Sequence, residues 1–405
     1  MKVLSSILII FFPLFVGAQN ITISGKVKDR ETGEVLELAS VSLKDRSIGT
    51  LTNILGEFDF HVPIENKNDI LVISMIGYMN FEAPVWSLQD HPDQVIFLDK
   101  SVFLLKEVVV VDSLRGGDIL RIALSHIDQN FPKQPFMMDC FYRDIKKVGG
   151  NYISLLEAAV KVYDEDYAEP RNKFKLRERV NLVQVRKSLG YQNKFTDFFD
   201  QDNLLEDLLL HNSIRYRQID SRDEELFAGI VREDDSYYNG HDIYVVSHSK
   251  EYKLTIYIDK TDFSIVHLEY ESGSSNEVID KKKNLVSKFN GLKKIIDFKR
   301  FEGVMYLNYM VMTSKVNWHD AKTDKLNFET ELFQQLLVNS VRPATKERIG
   351  SNQKMHSYGL QYQDLPYSKE FWDNYNVIKD SPLDKEVVRD LETQIPLEEQ
   401  FKQGN

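Results

Sequence analysis

Apolar and polar positions alternate with period two along much of the chain, the pattern of strands that bury one face. In the first hundred residues Ile21–Val27, Val41–Leu43 and Phe58–Val62 alternate in this way. Ile70–Met75, Val95–Leu98 and Val108–Val111 are apolar runs of strand length. Turn chemistry separates them: Asp29 to Glu34 contains Gly33, Ser47 to Thr50 contains Gly49, and Asn53 with Gly56 flank a third turn. Strands this close together, with no helix between them, predict a sandwich of roughly seven strands, because one small sheet cannot bury its own apolar face.

The period then changes. From Gly116 to Gln129, Ile119, Ile122, Ala123 and Ile127 recur at helical spacing, and Phe131-Pro132 ends the run. Phe136–Tyr142, Tyr152–Tyr163 and Leu182–Val185 read as strands, and Asp197–His211 as a helix with Leu204, Leu205, Leu208 and Leu209 on one face. Ile243–Val246, Lys253–Asp259 and Ile265–Tyr270 form a meander, with Asp259–Asp262 as a hairpin turn, and Lys293–Phe301 and Met305–Trp318 continue it. Repeated hairpins of this kind predict a curved sheet or half-barrel. Lys369 to Phe401 reads as a charged helical tail anchored by Phe371, Trp372 and Tyr375, with Leu383, Val387, Val388, Leu391, Ile395 and Leu397 as a broken apolar face. The expected class is mainly β: a sandwich over residues 19–111, a β-rich α+β domain over 112–350, and a helical tail over 351–405.

Residues 1–18 read as a secretory signal peptide: Lys2, the apolar run Ile7–Phe15, and the small-residue pattern Val16-Gly17-Ala18. No Cys follows for lipid attachment, and no later apolar run reaches the length of a transmembrane helix. The expectation is an exported protein, periplasmic or associated with the outer membrane. A length of 405 residues fits two or three domains. With 51 Lys+Arg against 62 Asp+Glu, the net charge of −11 argues against a nucleic-acid partner, which needs a basic face. One cysteine excludes an internal disulfide and a thiolate metal cluster. Its setting, Met138-Asp139-Cys140-Phe141-Tyr142, is that of a buried, inert thiol.

Four blocks carry a resemblance. They are Gly25-Lys26-Val27-Lys28-Asp29 with Thr32-Gly33-Glu34; Ala39-Ser40-Val41-Ser42-Leu43; Gly49-Thr50-Leu51-Thr52-Asn53 with Gly56-Glu57-Phe58; and Ser74-Met75-Ile76-Gly77-Tyr78. Together they resemble the carboxypeptidase regulatory-like domain, a transthyretin-like sandwich, although Glu37-Leu38 stands where a Pro often precedes the Ala. Leu105-Lys106-Glu107-Val108-Val109-Val110-Val111 is similar to the strand that leads into the plug of TonB-dependent receptors of the Bacteroidota. Here Asp112-Ser113-Leu114 follows instead, and the remaining length is too short for a plug and a large barrel at about ten residues per strand. Thr255 to Glu271 is similar to the hairpins of bacterial lipoprotein-carrier folds, in which a half-barrel shelters acyl chains. Phe371-Trp372 with Leu397-Glu398-Glu399-Gln400-Phe401 resembles the ending of small exported proteins with the same regulatory-like domain.

Catalytic chemistry has little to stand on. A zinc carboxypeptidase reading would need a His-x-x-Glu pair and a distant His. The one such pair, His248-Ser249-Lys250-Glu251, falls in a predicted polar turn, and no α/β region accompanies it. No nucleophile elbow, dinucleotide fingerprint or P-loop occurs. Asp164-Glu165-Asp166 and Glu233-Asp234-Asp235 lack the alternating register of a calcium loop and read as solvated loops. Lys281-Lys282-Lys283 with Lys293-Lys294 reads as a loop and edge strand protected by charge. His61, His126, His211, His241 and His267 are scattered, each read as satisfied or exposed. No catalytic, cofactor-binding or metal-binding residue is assigned, and no cofactor is expected. The expected function is that of a non-enzymatic cell-envelope protein whose sandwich recognises or assembles with a protein partner. The alternative is a carrier or sensor of a lipid-like apolar ligand in the half-barrel, and an envelope hydrolase is a distant third.

Overall fold

The computed structural model describes residues 20–89, 91, 94–101, 114–192, 194–199, 203–275, 277–355, 359–379, 382–392 and 395–403. The expected signal peptide and the Val108–Val111 strand lie outside the described residues. Strand β1 (Asn20–Asp29) buries every second side chain, which puts Ile21, Ile23 and Val27 on one face. It pairs antiparallel with β4 (Glu57–Pro63) and parallel with β7 (Val95–Leu98). The facing sheet runs β3 (Gly49–Leu51), β2 (Ser40–Leu43), β5 (Ile70–Ser74), β6 (Phe81–Pro84). Phe58, Phe60 and Val62 meet Val41, Leu43, Leu71 and Ile73 between these layers. Gly49 and Thr50, read as part of a turn, belong to β3, while Gly56 holds its turn at φ +71°, where an added Cβ would lie 2.5 Å from the Val27 carbonyl oxygen. A short helix α1 (Val85–Leu88) follows β6.

Helices α2 (Gly116–Ser125) and α3 (Ile127–Asn130) then lead into a twelve-stranded sheet that is antiparallel at every pairing. Its order is β10 (Arg179–Lys187), β9 (Asn151–Asp164), β8 (Phe136–Val148), β19 (Leu326–Arg342), β18 (Val304–Asp320), β17 (Leu285–Phe301), β15 (Ile265–Ser272), β14 (Tyr252–Asp259), β13 (His241–Ser249), β11 (Val231–Arg232). β12 (Ser236–Tyr238) pairs with β13, and β16 (Val278–Lys282) with β17. Among the described residues the sheet does not close into a barrel. Alternate residues of β8, β9, β15, β17 and β18, among them Cys140, Tyr142, Leu156, Leu268, Ile296 and Met310, pack beneath α2, α4 (Leu204–Leu210) and α5 (Glu224–Gly229) in one continuous core. Cys140 is fully buried, and burial pushes its thiol well above the ordinary range, as an inert thiol requires.

Three readings of polar and charged side chains need correction. His248 lies inside β13, buried and against the Tyr252 ring at 5.0 Å, because it pairs with Leu254 before the hairpin turns. Lys294 lies in β17, an interior strand, and donates from the helix-covered face to Ser213 Oγ at 2.7 Å. Asp164, read as part of a solvated loop, is buried at the end of β9. It accepts from Arg215 Nε at 2.6 Å and from a second guanidinium nitrogen at 3.2 Å. Glu178 completes this cluster, accepting from the Tyr216 hydroxyl, and burial together with the Asp164 charge pushes its carboxyl up to about 7.

The opposite face of the sheet is covered by the sandwich and the tail. Leu51 of the sandwich and Trp372 and Ile378 of the tail pack on Phe141, Ala159, Tyr309 and Leu337. The helical tail consists of α6 (Lys369–Asn374), α7 (Pro382–Leu391) and α8 (Leu397–Gln403). Residues 371–379 stitch the two bodies together. Asn376 accepts from the His61 backbone N–H at 2.8 Å and donates to its carbonyl at 3.1 Å, and Tyr375 donates to the Cys140 carbonyl at 3.0 Å. Lys379 pairs with Asp59 at 2.9 Å.

Candidate functional site: an interdomain cleft

Strand register arranges the sandwich-facing side of the sheet in rows. Phe141, Leu337, Tyr309, Asp297, His267 and Tyr257 stand directly opposite one another in turn across six strands. A second row runs Arg143, Gln335, Val311, Ile295, Glu269. Because the side-chain period is two, residues two apart share a face, so His267 and Glu269 of β15 point the same way. Above these rows hangs the sandwich loop before β2. Leu38 there takes φ +59°, a left-handed conformation rare for leucine. It is held by hydrogen bonds from Leu38 N to the Thr52 carbonyl at 3.1 Å and from Ala39 N to Thr52 Oγ1 at 2.9 Å.

Two chambers lie between the loop and the rows, and Glu37, Leu38 and Ile295 line both. The smaller, about 240 Å³, is bounded by Met75, Tyr238, Tyr257, His267, Glu269, Asp297 and Tyr309. The larger, about 490 Å³, has an apolar bed that includes Ile145, Tyr152, Val311, Phe333, Ile378 and Val387, with Lys147, Lys315 and Glu331 beside it. Lys315 pairs with Glu331 at 2.8 Å.

The smaller chamber holds a buried charge network. His267 Nδ1 lies 2.8 Å from Asp297 Oδ1, and its Nε2 lies 3.4 Å from Glu269 Oε1. Asn308 donates to the second Asp297 oxygen at 2.9 Å. Burial alone would lower the imidazole pKa, but the hydrogen bonds and charges of Asp297 and Glu269 outweigh it and raise it to about 9. Burial pushes the Tyr309 hydroxyl well above its ordinary range and Tyr257 to about 12, and partial burial raises Glu37. The folded-state pKa of His267 is above its unfolded value of 6.5, so its stabilising contribution is complete below pH 6.5 and disappears as pH rises through about 9. The expected result is an unfolding free energy that declines over that window and a shallower decline in His267→Gln, read by urea unfolding at a series of pH values.

The other histidines serve locally. His126 Nδ1 lies 2.8 Å from the Ile122 carbonyl, His241 Nδ1 lies 3.0 Å from Asp259, and burial lowers His211 to about 4. Glu251 is exposed, and among the described residues no group of three His, Cys, Asp or Glu is placed to hold a metal ion. His267, Glu269, Asp297 and Glu37 were not singled out as a site from sequence. The only local signal is the His-x-Glu spacing within a strand.

The fold and cleft define a two-part, mainly β protein. Residues 23–110 match the CarboxypepD_reg-like domain, and the N-terminal sandwich is a domain of this type. No curated protein matches the sequence. Among solved structures, the chain is similar to the Pseudomonas aeruginosa MucA/MucB complex at 11% identity, over 57% of this chain and 99% of that one, with a TM-score of 0.18. It is also similar to lipovitellin at 11% identity, over 54% of this chain and 26% of that one, with a TM-score of 0.24. A Bacteroides fragilis protein of unknown function, described as membrane-associated, matches at 8% identity over 80% of this chain and 98% of that one, with a TM-score of 0.16. Likenesses this weak carry no argument about function. Among the described residues, no helix is long and apolar enough to cross a membrane.

Proposed function

We propose that this chain is a non-enzymatic binding protein of the cell envelope, in which the sandwich walls a cleft for a small apolar or amphiphilic molecule. The observation that carries this reading is the larger chamber. Its volume, about 490 Å³, falls within the roughly 300–1,000 Å³ usual for small-molecule sites, and its bed is apolar with a few charged groups beside it. The leader-like residues 1–18 support the envelope assignment. A continuous core fills the helix-covered face, which favours the face beneath the sandwich as the ligand side in this reading. A protein-docking role for the sandwich draws on the exposed Trp86 and ranks second.

The test is native mass spectrometry of the protein purified from a periplasm, followed by solvent extraction. An apolar molecule near one per chain is expected, reduced at least about tenfold in Val311→Trp, whose indole would intrude on the chamber's apolar bed while costing about 1–3 kcal/mol of stability. A clean unliganded mass for the wild-type protein would sink the proposal.

A further inference from the structure

We infer that the smaller chamber takes an ammonium group, so that the ligand of the cleft is an amine with an apolar chain. This rests on the cleft reading above and adds the chemistry of the head group. The first support is charge. The lining contains Glu37, Glu269 and Asp297, and no Lys or Arg among the described residues. Its single cation, His267, is already matched by Asp297 at 2.8 Å and Glu269 at 3.4 Å. Lys299 feels the Asp297 charge but opens onto a different surface pocket. A protonated His267 therefore still leaves the chamber acidic.

The second support is independent of charge. Tyr309 is 4% exposed and borders the chamber, yet its hydroxyl has no hydrogen-bond partner among the described residues. The hydroxyl is open to the chamber, and an N–H donor there would bond to it. Tyr238 and Tyr257 add two more aromatic rings, and an ammonium near such rings gains further from their negative faces. Size and position complete the case. About 240 Å³ holds a head group, and the apolar bed for a chain begins past Leu38 and Ile295. The larger chamber is lined by Lys147 as well as by Lys315 and Lys379, which are paired with Glu331 and Asp59, so it has no acidic excess to compete for the ammonium.

The experiment is calorimetric titration of the full chain at pH 7.5 and low salt with three probes of equal chain length: n-octylamine, 1-octanol and octanoate. Octylamine is expected to bind at least about tenfold more tightly than octanol, with octanoate weakest, since a charged hydrogen bond with a partly buried partner is worth about that factor. Glu37→Gln and Tyr309→Phe should each weaken octylamine by a larger factor than octanol and so erode the preference for the amine. Glu37 is on an exposed loop and Phe keeps the Tyr309 ring, so both variants should fold. Equal binding of all three probes, a preference for octanoate, or an amine preference untouched by both substitutions would overturn the inference while the apolar cleft stands. No binding of any probe would overturn both.

Discussion

Replacing Arg215 by methionine is expected to lower the free energy of unfolding by about 3–5 kcal/mol, because it strands charges that the fold has removed from water. Arg215 is fully buried, donates twice to Asp164, and gives a third hydrogen bond to the Ala168 carbonyl at 3.0 Å. The rings of Tyr167 and Tyr216 flank the guanidinium at 5.2 and 5.6 Å. Without it, Asp164 and Glu178 would face each other with no cation between them. Urea unfolding should show a lower midpoint with an unchanged slope. Adding Asp164→Asn to Arg215→Met should recover much of the loss, because removing both partners costs less than orphaning one. A loss below about 1 kcal/mol would mean that the carboxyl groups simply protonate when the guanidinium goes.

The second large effect belongs to the stitching segment. Trp372→Ala is expected to cost about 3–5 kcal/mol, the usual range for deleting a buried tryptophan. Its ring packs edge-on to Phe141 at 6.5 Å and Phe371 at 5.4 Å, and beneath the Arg186 guanidinium at 4.4 Å. The damage should extend beyond the ring. Asn376, Ile378 and Lys379 follow it and join the sandwich to the sheet, so the variant should unfold in two transitions and admit protease between the two bodies. Trp372→Phe is the control. The indole N–H has no hydrogen-bond partner among the described residues, so a phenyl ring loses little and should cost below about 1.5 kcal/mol. A single transition at wild-type stability in Trp372→Ala would show that the bodies are held together by other contacts.

The sandwich was legible because its strands obey local rules. β1 and β4 alternate cleanly, and Gly33 and Gly56 mark turns that need positive φ. The meander from Ile243 to Tyr270 was legible for the same reason. Strand β19 went unread, and its burial shows why. From Gln334 to Val338 every residue is buried, since the helices cover one face and the sandwich and tail the other, so no period-two contrast survives. Asp197–His211 was overread: α4 begins only at Leu204, after Asn203 caps it through a hydrogen bond from Glu206 N. The cleft was illegible for a different reason. Glu37, His267 and Asp297 are far apart in the chain and meet only through strand register and the docking of the sandwich, neither of which leaves a local trace.

The pairing of β8 with β19 has a consequence for how the molecule comes into being. Tyr142 and Gln334 are 192 residues apart and hydrogen-bonded at 2.9 Å, so the middle of the great sheet joins a ribosome's early output to its late output. Closing so long a loop is slow, since its entropy is lost before any contact compensates. Until β19 emerges, β8 remains an edge strand with its backbone groups open to any passing partner. A nascent chain thus spends much of its synthesis as a finished sandwich tethered to a sheet that lacks its central strands. That interval is when a chaperone would matter most.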